Sequence, residues 1–115
     1  MGYSPNHRRI KERYNPTPNA EERRHEDRLK KLPCFGCGRF GGFAHHVMTD
    51  FPAKRWRRDH RYQLPVCWGC HQGPEGIHGL GSEAKWLERV GISKDEMVAF
   101  VIDLWDETQD ERRVA

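Results

Sequence analysis

The sequence predicts a small α+β domain, stapled by metal around a modest core. Three observations carry this. The chain has 115 residues, of which 36% are apolar and 32% charged, and its mean hydropathy is −0.96, so one domain must fold with little hydrophobic burial to spare. Two Cys-x-x-Cys pairs, Cys34/Cys37 and Cys67/Cys70, offer a staple in its place. Two short strand-like runs sit between stretches of helical patterning.

Taken in order, residues 1–18 hold three of the seven prolines and read as an extended arm. Asn19 is a good N-cap for a helix over 20–32, with Glu21 and Glu22 in its first turn and Lys30 and Lys31 in its last. That helix is polar nearly all round, so it is expected to dock on nucleic acid or on the rest of the fold. The arm and helix, 1–31, form a basic N-terminal segment ahead of the main domain, 32–115.

Glycines make 33–42 a tight knuckle that aims two sulfurs at one point. Residues 43–48 read as a strand carrying His45 and His46, and 62–66 as a second strand leading into Cys67. The glycine-rich stretch 69–81 reads as irregular. Ser82 caps a short helix through Val90, closed by Gly91. Ser93 and Glu96 mark a capping box for the last helix, whose apolar stripe of Met97, Val98, Val101, Leu104 and Trp105 is expected in the core.

Composition removes several classes. The longest apolar run, 97–102, is far short of the roughly 18 residues a membrane span needs. The N-terminus lacks the apolar stretch of a secretory signal, so the expected location is the cytoplasm, where cysteines serve more often as thiolate ligands than in disulfides.

The net charge of +3 hides a division. Residues 1–31 carry nine Lys or Arg against five acids, 32–70 six against two, and 71–115 five against ten. A basic front and an acidic tail suggest a polyanion-facing surface at the front. Lys54, Arg55, Trp56, Arg57 and Arg58 are its densest part, and a tryptophan among four cations suits phosphate contact plus base stacking. The plain alternative is a solvated loop with one anchored Trp.

The two cysteine pairs make a four-sulfur structural zinc site the leading reading. They are separated by 29 residues, beyond the spacing of about 15 to 20 in simple zinc ribbons, so something is inserted between the halves. A thioredoxin-like redox pair lacks its βαβ context here, and paired disulfides are disfavoured by compartment. Within the insert, adjacent His45 and His46 on a strand must point to opposite faces. One can ligate a metal while the other serves as a general base. His71 and His78 bracket the glycine-rich loop, which can bring both imidazoles to the ion of His45. Such an ion would be zinc, nickel or a relative, or Mg or Mn where a phosphate supplies oxygens. His7 and His25 read as structural or surface histidines.

The ordered set of Cys-x-x-Cys, a His-His pair on a strand, and Leu-Pro-Val-Cys-x-x-Cys-His followed by Gly-Ile-His resembles the HNH (ββα-metal) endonucleases over roughly half the chain. It is most similar to phage and prophage members, including the Ref-type recombination-enhancing nucleases. The resemblance implies a ββα-metal core, a DNA substrate and a metal-dependent hydrolysis of phosphodiester bonds. It implies His46 as general base, His45, His71 and His78 as ligands of the catalytic divalent metal (Mg, Mn, Ni or Zn), and a separate structural zinc on Cys34, Cys37, Cys67 and Cys70. The family's middle Asn or His falls at Tyr62 here, which departs from the pattern. His60, on the same strand face if the strand extends that far, is the substitute, and Asp59 lies near. A nucleic-acid-binding protein like a zinc ribbon, without catalysis, is the alternative.

Overall fold

Asn19 opens the first helix, α1 (Ala20–Leu29), with a reciprocal capping box: its side chain accepts from Glu22 N at 2.8 Å while Glu22 Oε1 accepts from Asn19 N at 2.9 Å. The structure, a computed structural model, describes residues 17–51 and 58–114, so the N-terminal arm of 1–16 lies outside the described residues. α1 ends three residues before the expected boundary at 32. Pro33 disfavours helical geometry at Leu32, and the chain leaves through a turn in which Lys31 N and Leu32 N bond to Arg28 O and Leu29 O.

A bridge between Pro33 and Phe40 closes the first knuckle. Two strands follow, β1 (Phe43–His46) and β2 (Gln63–Val66), paired antiparallel with Phe43 opposite Val66 and His46 opposite Gln63. Both are shorter than the expected 43–48 and 62–66. One further bond, Val47 N to Tyr62 O at 3.0 Å, extends the pairing, but the amides of Met48 and Thr49 turn away to the side chain of Glu83.

The tract 69–81 is not irregular throughout. It contains two single-turn helices, α2 (Trp68–His71) and α3 (Ile77–Leu80). Poor helix propensity hid them, and close backbone packing makes them. A Cβ on Gly76 would lie 2.4 Å from Gly69 O, and one on Gly79 would lie 2.2 Å from Gly73 O. Only glycine lets these segments approach so closely.

α4 (Glu83–Val90) starts at the Ser82 cap and ends at Gly91, whose φ of 76° is the left-handed closure glycine favours. α5 (Lys94–Val114) starts where Ser93 Oγ accepts from Glu96 N at 3.1 Å. Met97, Val101 and Leu104 are buried, with Val98 and Trp105 half-buried beside them, so the apolar stripe does face inward. Its Met97 and Val101 cluster with Leu64, Val66, Ile77, Trp86 and Leu87 around Cys34 and Cys70. Among the described residues no helix is long and apolar enough to cross a membrane.

The polar α1 docks on α5 through polar contacts. His25, fully buried, meets Thr108 Oγ1 at 2.7 Å through Nδ1 and stands edge-on to Trp105 with ring centres 5.0 Å apart. Arg28 reaches Glu107 at 3.0 Å and Glu111 at 3.2 Å. His25 is thus structural, and far more enclosed than a polar helix suggested.

Candidate metal centres

The first knuckle is shaped by two backbone bonds, Cys34 N to Arg39 O at 2.7 Å and Gly38 N to Cys34 O at 2.8 Å. A third, Phe35 N to Pro65 O at 2.9 Å, ties it to β2. Gly36 must be glycine: a Cβ there would lie 2.4 Å from the Trp86 ring and 3.1 Å from Cys70 Sγ. The second knuckle starts with Cys67 as the N-cap of α2, its sulfur accepting from Cys70 N at 3.4 Å. All four cysteines are free, and their sulfurs lie within 4.8 Å of one another.

These sulfurs fit a metal such as zinc. Zn–S bonds of about 2.3 Å in a tetrahedron place sulfurs about 3.8 Å apart, and Cys37 Sγ stands 3.7 Å from Cys67 Sγ. The thiol chemistry asks for a cation as well. Burial raises the Cys34 pKa, but the surrounding amides of Cys67, Cys37 and Gly36 lower it by more, to about 7. Burial and the neighbouring sulfurs push Cys70 up to about 12. Four thiolates side by side therefore need a positive ion among them to ionise together.

On β1 the two histidines divide as the alternation of a strand requires. His45 is buried and faces His71 and His78, with ring centres at 5.2 Å and 5.6 Å. His46 faces the opposite way and meets His60, Nε2 to Nδ1, at 2.9 Å. The single-turn helices α2 and α3 deliver His71 and His78, whose Nε2 atoms stand 3.1 Å apart. Imidazole nitrogens about 2.1 Å from one ion stand about 3.0 to 3.4 Å apart, depending on coordination number. One nitrogen from each of His45, His71 and His78 lies within 4.8 Å of the others, so this second set also has metal-binding spacing.

The electrostatics favour the neutral ring at His71 and at His46. Burial, with the charges His45 and His78 would carry, lowers His71 to about 4. Burial lowers His46 to about 4 too, helped by His60, Arg58 and His45 and opposed by Asp59.

No family model, curated protein or solved structure matches this chain.

Of the two candidates for the middle position, the structure brings His60 and not Tyr62 to the site. The strand stops at Gln63, so the expectation of a shared strand face fails. A turn closed by Tyr62 N and Asp59 O at 3.2 Å carries His60 back over β1, and Gln63 Nε2 holds it by donating to His60 O at 2.8 Å. Tyr62 instead stacks on Phe51 at 4.2 Å, and Asp59 pairs with Arg61 at 3.0 Å. Of the cationic cluster, Lys54, Arg55, Trp56 and Arg57 lie outside the described residues. Arg58 lies within them and lines one cleft of about 550 Å³ together with His45, His46, His71 and His78.

Glu83 is the site residue that sequence reasoning missed. Its carboxylate, 8% exposed, lies 2.6 Å from His45 Nε2. As the first residue of a capped helix, it reads simply as a charge complementing the helix dipole. Its 38-residue separation from His45 left no local signal of the contact.

Proposed function

We propose that this chain is a metal-dependent endonuclease of the HNH type, hydrolysing phosphodiester bonds in DNA. The observation that carries this reading is the cleft itself. Three gathered histidines, a fourth on the opposite strand face with a partner of its own, and an arginine all line one open space. A binding module held by four cysteines has no use for a second cluster of this composition.

His45, His71 and His78 would hold the catalytic ion, and Cys34, Cys37, Cys67 and Cys70 a structural zinc. An ion in the histidine set would polarise the phosphodiester and stabilise the departing oxygen. The remaining work falls to the chain. His46, neutral because its pKa sits at about 4, is in the form that accepts a proton from an attacking water. For this, its Nε2–H donates to His60 Nδ1, and its own Nδ1 receives the proton. His60 thereby fills the orienting role that the family's middle residue suggests. Arg58 adds a cation for the phosphate beside the reacting bond.

The test is nicking of supercoiled plasmid with Mg, Mn or Ni. His46→Ala is expected to lower the rate by about 10²- to 10⁴-fold while leaving DNA binding and the far-UV spectrum unchanged. Wild-type protein that binds DNA and never nicks it, under any of these ions, would instead establish the zinc-ribbon-like binding module.

A further inference from the structure

Glu83 sits at the first position of α4, and four donors converge on its carboxylate. Oε2 accepts from His45 Nε2 at 2.6 Å and from Met48 N at 2.8 Å. Oε1 accepts from Thr49 N at 2.8 Å and from Thr49 Oγ1 at 2.5 Å. Two of the four are backbone amides, one on each oxygen, which can only donate, so the pocket is built for an ionised acceptor.

We propose that Glu83 is the positioning residue of the three-histidine centre: it fixes the tautomer and the orientation of the His45 ring so that Nδ1 faces a divalent ion. This rests on the reading of that cluster as a metal site. A carboxylate has no proton to give, so the short contact requires the proton on His45 Nε2. In the neutral ring Nδ1 then keeps its lone pair. A ligand held this way does not have to choose a tautomer or a rotamer when the ion arrives, and the bond to a carboxylate makes the ring a stronger donor. The same carboxylate pins Met48 and Thr49, where the chain leaves β1. The ring and the strand end are thus fixed to α4 by one group.

A purely structural anchor predicts something different, and the variants separate the two. Glu83→Gln keeps the shape, yet however its amide turns, its NH2 group meets a backbone N–H, that of Met48 or that of Thr49. Glu83→Ala removes every bond. Thr49→Val removes only the hydroxyl bond and leaves His45 untouched. With zinc retained at the cysteines, Co²⁺ is titrated into each protein and followed by visible absorption and calorimetry. Both Glu83 variants are expected to bind Co²⁺ about 10- to 100-fold more weakly with an altered spectrum, while Thr49→Val stays within about threefold of wild type despite a lower melting temperature.

Nitrogen NMR of the metal-free wild type needs no variant, and a His45 ring protonated at Nε2 is expected. Equal Co²⁺ affinity in wild type and the Glu83 variants overturns the inference, as does an equal loss in Thr49→Val or a His45 proton on Nδ1. Wild-type protein that takes no Co²⁺ at the histidines overturns the metal reading itself, and the inference with it.

Discussion

Four sulfurs and three imidazoles each converge within 4.8 Å in one small domain, and exposure does not tell the two sets apart. Cys37 and His78 are exposed, while Cys34, Cys70 and His45 are buried, so each set runs from core to surface. They differ in the number of donors and in what stands behind them. Four sulfurs complete a tetrahedron and leave no position for a substrate, whereas three nitrogens leave room. Backbone amides and the Trp86 ring surround the sulfurs, but a carboxylate and an open cleft flank the imidazoles. On the function proposed above, one small chain holds its fold with the first set and leaves chemistry to the second.

The largest test removes the holding set. Cys67→Ser is expected to release zinc and abolish the cooperative unfolding transition, since structural zinc contributes on the order of 10 kcal/mol in small sites. Metal analysis and circular dichroism read both effects, and the histidine centre should vanish with the fold. A stable fold under chelation would break the division of labour just drawn.

A smaller change should strike one side alone. Gly79→Ala places a Cβ 2.2 Å from Gly73 O and 2.5 Å from Pro74 O, so α3 must shift and take its neighbour His78 with it. The expected cost is about 1–3 kcal/mol in thermal or urea unfolding. Zinc content should stay at the wild-type level while Co²⁺ binding at the histidines falls. Loss of zinc in this variant would show that the two centres share one scaffold after all.

The smallest effect should leave both centres intact. Burial and the Arg28 charge lower the pKa of His25 from 6.5 to about 4. The unfolded chain therefore takes up this proton first as pH falls. The stability tied to neutral His25 is full above about pH 6.5 and is lost as pH falls toward 4. His25→Phe keeps a ring against Trp105, and Thr108 keeps its bonds to Arg28 at 3.2 Å and to Leu104 O at 3.1 Å. Its melting temperature should fall less steeply between pH 6.5 and 4 than that of wild type, with zinc and Co²⁺ binding unchanged. Equal slopes would place the acid sensitivity in the metal ligands alone.

Sequence reading did best where a residue acts on its own neighbourhood. Asn19, Ser82 and Ser93 cap helices through bonds three residues away, and the cysteine pairs announce themselves by spacing. The strand alternation likewise sends His45 and His46 to different partners. It did worst where distant residues meet. Glu83 and His45 are 38 positions apart, and His25 and Thr108 are 83, so no local pattern links them. The helices of the glycine tract were hidden because tertiary packing overrides propensity there. The choice between His60 and Tyr62 turned on where one strand begins, which periodicity resolves poorly.

The 3.7 Å approach of Cys37 to Cys67 also makes a ring of the chain between them. Residues 38–66, with both strands, His45, His46 and His60, lie within that ring. The entropy of closing such a ring grows only logarithmically, so doubling its length costs about 0.6 kcal/mol. Residues added between Phe51 and Arg58 would cost little against that closure. The span that carries the densest positive charge can therefore be lengthened at little cost, in evolution or by design.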